Sequence, residues 1–524
     1  MEGTEKDEGH WLDRSPRRTR TKRWSFDIQD PTRESLTSSK MSRRKLSDFS
    51  SADSVHKEVN TFDISPAQLY STESGRLFHA GKICVVLCGP PGQGKTHLSV
   101  SLTRYLRWLG VKTHVFHLGD YRRAHAMDYV DHGIFVPERF NTKYKTFRKK
   151  ITFEIVNDIE NFFLNDKGQI AIYDAVNALP EYRLDLYNKF SDMNVLTLFI
   201  ELAVNNYDII MKNMEEAALS SPDYRNWNFE DAYADYHARI KALIPFYQGM
   251  SDPIEEHLPV IKFINFGEKI ELHRTSQGYL INKIVFFLMN SKIKLGSLFF
   301  ARCYNNSIDY TSDPPLDEEG KRYAINLSKT LKDYFHSQGK HYYGSKDNDG
   351  NEISQDTKRQ FSNSERSPSN QSKNEFVIWT TLKRRTLELA KYLENENIDI
   401  YQRVQLSQKN PGVFGGMSKE EVAEKHPDHH KNYIRDPYHY RLPRAELYHD
   451  LAIKIESLIL EMERLSGDLL IIADESVIKV FYGYLMACSC YDIPSLSFPS
   501  NEIIEIKFNA YQNTSKRIPI QDYA

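Results

Sequence analysis

Apolar positions along the chain form two blocks, preceded by one polar stretch and interrupted by another. Residues 1 to about 78 are rich in Ser, Thr, Arg and Lys and show no sustained apolar period. Such a stretch cannot bury enough surface to offset chain entropy, so the pattern predicts a disordered tail over 1–78. From Lys82 the pattern changes: KICVVLC is a continuous apolar run of strand length, a Gly-rich turn follows, and THLSVSLTRYLRWLG has helical spacing. THVFHLG reads as a second strand and GQIAIYDAVN as a third, with amphipathic helical stretches between them. Strands alternating with helices predict right-handed crossovers and a parallel sheet covered on both faces, here a unit spanning 79–290. A second α/β unit is expected over 291–510, built from LGSLFFARC, EFVIWTTLKRRTLELAKYL and GDLLIIADESVIKVFYGYLM. A polar low-complexity insert at 344–374 has no apolar face and is expected to be a disordered surface loop, and 511–524 a C-terminal tail.

At 524 residues the chain has room for about two to three domains with cores of their own. The 69 basic and 71 acidic residues leave a net charge of −2, so no overall field recommends nucleic acid or a membrane as the main partner. That balance points to a small molecule. Five cysteines (Cys84, Cys88, Cys303, Cys488, Cys490) are too few and too unevenly placed for a disulfide framework or a zinc site, which suits a reducing compartment. The first residues lack a signal-peptide-like run, and no stretch reaches the ~18 apolar residues of a membrane span, so a cytoplasmic protein is expected.

Gly89 to Thr96, GPPGQGKT, fits G-x-x-x-x-G-K-[ST] and lies between an apolar strand and a helix, where a phosphate cradle belongs. Gly89, Pro90, Pro91, Gly92, Gln93 and Gly94 form the loop, whose glycines let backbone N–H groups turn inward while the helix N-terminus adds its dipole. Lys95 would reach the β- and γ-phosphates of ATP and Thr96 would hold Mg²⁺. Asp174, ending GQIAIYD, supplies the carboxylate such a site needs, to hold the metal's water or take a proton from an acceptor hydroxyl; a plain helix cap is the alternative.

The ordered matches GPPGQGKTHLSVSLTRYLRWLGVKTHVF, LGDYRR, GQIAIYDAVN, SSPDY, FFLMN, IWTTLKRRT, EEVAEKHP and LIIADESV run collinearly from about Lys82 to Lys507. In these the chain resembles the bifunctional 6-phosphofructo-2-kinase/fructose-2,6-bisphosphatase family. The resemblance implies a P-loop kinase domain that phosphorylates the 2-hydroxyl of fructose 6-phosphate, followed by a histidine-phosphatase (phosphoglycerate mutase-like) α/β domain that removes that phosphate. It implies ATP and Mg²⁺ as cofactors and a homodimer through the kinase domains. Lys95, Thr96 and Asp174 fall on the family's positions, and Asn213 of IMKNMEE matches an asparagine beside its nucleotide pocket. Arg122, Arg148 and Arg239 match its sugar-phosphate-binding arginines; a guanidinium fork suits a phosphate monoester. Four positions depart: Val176 replaces the threonine of D-A-T-N, Tyr182 an arginine that clamps substrate, Ala218 a lysine beside the transferring phosphoryl, and Leu243 a tyrosine.

The second half departs further. Where the family reads R-H-G-E, this chain has Arg302, Cys303, Tyr304 and Asn305, so arginine stands and the histidine nucleophile does not. A cysteine phosphatase would need an arginine six residues beyond Cys303, where Asp309 lies, so a quiet buried thiol is expected. The family's acid becomes Gln408, its second histidine Asp474, and Arg385 stays in register. These changes imply a degenerate phosphatase site. The expectation is therefore a monofunctional 6-phosphofructo-2-kinase, with an ATP-binding sensor or scaffold and a kinase of changed acceptor as alternatives. In the tail, KRWS at Ser25 and RRKLS at Ser47 read either as targets of a basophilic protein kinase or as part of a solvated basic segment.

Overall fold

A computed structural model describes residues 55–56, 65–68, 81–125, 132–137, 139–251, 253–275, 278–294, 296–304, 310–340, 376–395 and 398–521. Ser25, Ser47, Asn305, Asp309 and the 344–374 insert lie outside the described residues.

The first domain is built on β1 (Ile83–Cys88), β2 (Thr113–His117), β3 (Ile170–Asp174), β4 (Leu196–Ala203), β5 (Val260–Ile264) and β6 (Lys269–His273), ordered β2-β3-β1-β4-β5-β6. All neighbours run parallel except the β5–β6 edge pair. Its helices are α1 (Lys95–Trp108), α2 (Leu118–His125), α3 (Lys145–Leu164), α4 (Pro180–Asp192), α5 (Tyr207–Ser220), α6 (Phe229–Leu243) and α7 (Tyr279–Asn290). ICVVLC is buried along its whole length because a central parallel strand is covered on both faces. Its period of two splits it: Cys84, Val86 and Cys88 pack towards Phe163 and Phe190, whereas Ile83, Val85 and Leu87 pack towards Leu98, Leu102 and Phe287. β1, β2 and β3 end together, with His117 and Leu87 both in register with Asp174. In an open α/β sheet, ligands bind in the crevice beyond such carboxyl ends.

The second domain carries β7 (Leu298–Arg302), β8 (Phe376–Thr380), β9 (Ile398–Gln402), β10 (Asp468–Ala473), β11 (Glu502–Lys507) and β12 (Thr514–Pro519), ordered β12-β11-β7-β10-β8-β9. Around it lie α8 (Glu318–Ser337), α9 (Arg384–Lys391), α10 (Lys419–Lys425), α11 (Pro427–Arg435), α12 (Tyr448–Lys454), α13 (Glu456–Arg464) and α14 (Glu475–Leu485). The strands from β7 to β9 are parallel, and β11 and β12 add an antiparallel edge.

The two domains share one continuous core. Leu98, Tyr105 and Phe287 of the first belong to the same packed cluster as Phe300, Tyr484 and Ile504 of the second. At the seam Trp108 meets Tyr484 edge to face at 5.6 Å, and Arg104 pairs with Glu463 at 3.1 Å.

Two boundaries differ from the sequence reading. Residues 514–519 are the strand β12 paired along β11 rather than part of a tail; as an edge strand they bury only Ile518, so no apolar pattern marks them. Within 1–78, Val55 is fully buried and the 65–68 segment is bonded to both domains. The Ala67 amide donates to the Trp108 carbonyl at 3.0 Å, the Tyr438 hydroxyl to Pro66 at 2.9 Å, and His449 Nε2 bonds the Gln68 carbonyl at 2.7 Å. These contacts are made with elements far along the chain, which local composition does not reveal.

Candidate active site

The loop after β1 turns on glycines held at positive φ. Gly94 has φ 75°, and a Cβ there would lie 2.2 Å from the Phe266 ring; at Gly92, φ 79°, it would lie 2.8 Å from Ile240. Gln93 is tied to both backbone groups of Val204, and the Asn213 amide donates to the Gly92 carbonyl at 2.9 Å, so α5 and the end of β4 brace the loop. The Gly92 amide donates to the Tyr236 hydroxyl at 3.2 Å. Lys95 is buried with its ammonium on the Pro90 carbonyl at 2.6 Å, and burial pushes it down to about 8 while Asp174 opposes the fall.

Asp174, 7% exposed, collects donors on one oxygen: Thr96 Oγ1 at 2.8 Å, Ser99 Oγ at 3.4 Å and His117 Nδ1 at 2.7 Å, all to Oδ2. Burial opposes ionisation, yet the His117 hydrogen bond and charge, Lys95 and Thr96 together hold the carboxyl below its ordinary range. A hydroxyl and a carboxylate oxygen side by side are the hard donors Mg²⁺ takes, usually with several waters retained.

These groups open into a cavity of about 590 Å³ that is also lined by Arg122, Arg123, Arg148 and Arg239. Arg122 meets both oxygens of Asp223 at 2.5 and 2.6 Å, Arg123 meets it at 2.8 Å and Arg239 at 3.1 Å. Burial works against the Asp223 charge, but the guanidinium groups hold its pKa well below the carboxylate range. Arg239 also stacks 3.7 Å over the Phe135 ring. Arg148 lines the same cavity, but its guanidinium is bonded to the carbonyls of Gly133, Ile134, Val136 and Asn141, so it clamps that loop. Val176, Tyr182 and Leu243 line the wall as the sequence suggested. Ala218 does not: the lining residues are Asn213 and Ala217 on α5 and Ser221 just beyond its end, and Ala218 packs with Tyr224 and Ala232.

Sequence reasoning missed His117, Arg123, Ser99 and Tyr511. Arg123 adjoins Arg122 in DYRR and could have been read there. The in-register ends of β2 and β3 account for His117. Tyr511 comes from the β11–β12 loop of the second domain and lines the cavity with Ala510, its ring 6.2 Å from that of His117; no local signal marks it.

In the second domain Cys303 follows β7, and its amide donates to the Ala473 carbonyl at 2.9 Å. Burial, then Asp474, push its thiol up to about 12 against the pull of Arg385 and Arg302. Asp474 caps α14, accepting from the Ser476 amide at 3.0 Å and hydroxyl at 2.6 Å. Arg302 bonds the Phe498 carbonyl at 3.1 Å and faces Glu475 at 3.6 Å. Arg385 is 5% exposed, with Nε and Nη1 unpartnered. Gln408 lies in the loop after β9, its carbonyl accepting from the Tyr310 hydroxyl at 3.2 Å. Among the described residues no group of three or more His, Cys, Asp or Glu side chains is placed to hold a metal, and no helix is long and apolar enough to cross a membrane.

Residues 70–295 match the family model described as 6-phosphofructo-2-kinase, and residues 353–521 the model of the histidine phosphatase superfamily, branch 1. A Saccharomyces cerevisiae protein provisionally named a 6-phosphofructo-2-kinase/fructose-2,6-bisphosphatase is 41% identical over 89% of this chain and 89% of its own length. The fructose-2,6-bisphosphatase of the same yeast is 29% identical, covering 82% of this chain and 87% of its own. Human 6-phosphofructo-2-kinase/fructose-2,6-bisphosphatase 1 is 28% identical over 82% of each. Both domain matches fall in order on the two sheets described above, and the similarity to these proteins runs across the seam, so the chain belongs to the 6-phosphofructo-2-kinase/fructose-2,6-bisphosphatase family.

Proposed function

We propose that this family member forms fructose 2,6-bisphosphate from ATP and fructose 6-phosphate and lacks fructose-2,6-bisphosphatase activity. The observation that carries the reading is the single cavity in which Lys95, Thr96 and Asp174 face the arginines Arg122, Arg123 and Arg239. Bound Mg²⁺ would neutralise charge on the β- and γ-phosphates. Lys95 would leave the Pro90 carbonyl for the nucleotide phosphates, and the loop amides would hold them. Asp174, with its three bonds on Oδ2, keeps Oδ1 for the metal's water or for the acceptor's 2-hydroxyl proton. The Arg122 and Arg239 Nε groups, buried and unpartnered, are the donors left for the sugar's 6-phosphate.

In the second domain the proposal rests on chemistry. A thiol held near 12 is not a thiolate at neutral pH, an amide at Gln408 cannot protonate a leaving group, and Asp474 adds negative charge beside the anion's place. The same reading carries a cytoplasmic homodimer, with protein-kinase control through Ser25 or Ser47. A nucleotide-binding sensor or scaffold is the second reading, favoured by the Arg148 clamp, which leaves one fewer arginine for a sugar phosphate. The apolar wall of Val176, Tyr182 and Leu243 favours a third, a kinase with another acceptor.

The test is phosphoryl transfer from labelled ATP to fructose 6-phosphate by the purified protein with Mg²⁺, Lys95→Met serving as blank. Labelled fructose 2,6-bisphosphate above the blank upholds the kinase reading. ATP binding without transfer moves the assignment to the sensor, and transfer to a different sugar or polyol moves it to the changed acceptor.

A further inference from the structure

The metal-side carboxylate of the cavity is backed by residues from both ends of the chain. Asp174 takes its shortest bond from His117, at 2.7 Å, and the His117 side chain is 5% exposed. The outer side of that imidazole is closed by two rings: His56 with its centroid at 5.0 Å and Tyr511 at 6.2 Å. His56 Nε2 lies 3.3 Å from the Tyr511 carbonyl, across 455 residues of sequence. A carbonyl only accepts, so this bond requires the Nε2–H form of His56. Burial, then His117, push the His56 imidazole down to about 4, in keeping with a neutral ring at that place. Val55 beside it is fully buried. Further along, Pro66, Ala67 and Gln68 are bonded to Tyr438, Trp108 and His449, so the segment is pinned to both domains.

We propose that residues 55–56 and 65–68 strap the N-terminal part of the chain to both domains and that His56 is a positioning residue: pinned by the Tyr511 carbonyl, it holds the His117 ring against Asp174 and so fixes the carboxylate beside Thr96 where Mg²⁺ of the nucleotide is to be received. The strap thus makes the first domain's centre depend on the N-terminal segment and on the loop of the second domain. Without His56 one wall of His117 opens to water, the ring gains rotamers, and the His117–Asp174 bond is shared with solvent. A neutral hydrogen bond contributes an amount equivalent to about a two- to tenfold change in an equilibrium constant.

The inference rests on the nucleotide-site reading, and the experiment separates the two. In the full-length protein, His56→Ala and His56→Phe are compared with wild type by two readouts. The first is amide hydrogen exchange of the peptide covering His117 to Gly119, measured without nucleotide. The second is calorimetric ATP binding at a series of Mg²⁺ concentrations, with ATP affinity in the absence of Mg²⁺ as the internal control. The expected result is faster exchange at His117–Gly119 in His56→Ala, and a rise of about three- to tenfold in the Mg²⁺ concentration for half-maximal enhancement of ATP binding, with Mg²⁺-free affinity unchanged. His56→Phe keeps a ring but not the donor and is expected to shift the Mg²⁺ midpoint by about twofold. Unchanged exchange and unchanged Mg²⁺ midpoint in His56→Ala overturn the strap, as does an equal loss of affinity with and without Mg²⁺, which would mark a general structural defect. If wild type binds no ATP, the nucleotide reading falls and with it the Mg²⁺ role of His56; the exchange readout then decides whether the brace itself exists.

Discussion

Replacing Glu463 by alanine tests whether the two domains are one folding unit. Glu463 sits at the seam with its side chain 3% exposed, 3.1 Å from Arg104, itself 5% exposed, and accepts the Tyr484 hydroxyl at 2.7 Å. Lys294, 4% exposed, is turned onto the Leu465 carbonyl at 2.7 Å and feels the same carboxylate. Taking the carboxylate away leaves a guanidinium and an ammonium in a dry seam, and breaking a buried pair in this way costs about 3–5 kcal/mol. Glu463→Gln keeps an acceptor for Tyr484 and is expected to cost about half as much. Arg104→Met with Glu463→Leu removes the bare guanidinium and restores part of the loss, but not all of it, because Lys294 keeps its charge. Burial works against the Glu463 charge, yet Arg104 and Lys294 hold its pKa below the ordinary carboxylate value. Its contribution is therefore present above the unfolded value near 4.5 and is lost as pH falls through the lower folded one. The assay is urea unfolding at pH 7 followed by far-UV circular dichroism and by tryptophan fluorescence, since Trp108 lies at the seam and Trp379 inside the second sheet. A shared core predicts coincident transitions by both probes, displaced together in the variant. A loss under about 1 kcal/mol, or two separate transitions in wild type, would refute the reasoning.

Burial lifts the Glu216 carboxyl to about 7, so its contribution to stability is full below pH 4.5 and gone above 7. Glu216→Gln is accordingly expected to stabilise the protein at pH 8 by about 2–3 kcal/mol and to change little at pH 4.5, as read by the pH dependence of urea midpoints. Cys303, 9% exposed with its thiol near 12, is expected to resist a thiol reagent such as a disulfide dye in the folded protein at pH 8 and to react at once in urea; rapid native labelling at Cys303 would contradict the buried placement. Gly94→Ala places a methyl 2.2 Å from the Phe266 ring at φ 75°, and is expected to lower ATP affinity at least tenfold, whereas Gly278→Ala, with open space around its Cβ, leaves it unchanged in the same calorimetric titration.

The Gly89–Thr96 side of the cavity was legible because each part obeys a local rule: an apolar run long enough for a buried strand, glycines where the backbone must turn, and a lysine and threonine at the helix start. Asp174 was legible as the end of an apolar strand. The arginine-lined side was legible only as residue types, since the sequence placed Arg148 there without revealing that four carbonyls already bond it. Ala218 shows the same limit: one step around α5 separates the cavity wall from the Tyr224 cluster, and position in the sequence does not by itself fix which side a residue takes. β12 went unseen because an edge strand with solvent on most of its side chains has no apolar alternation to show. His56 and Tyr511 went unseen because their importance lies in a contact between the chain's two ends, which no window of sequence contains.

The shared seam also bears on how such a chain changes over generations. Arg104, Tyr105 and Trp108 of α1 meet Glu463, Glu456 and Tyr484 of the second domain, so a deletion shedding that domain would uncover the helix that begins at the phosphate loop. Substitutions at Cys303, Gln408 or Asp474 touch none of those seam contacts. Drift can therefore erase one domain's chemistry residue by residue, while gene truncation, the shorter route to the same loss, would take the other domain with it.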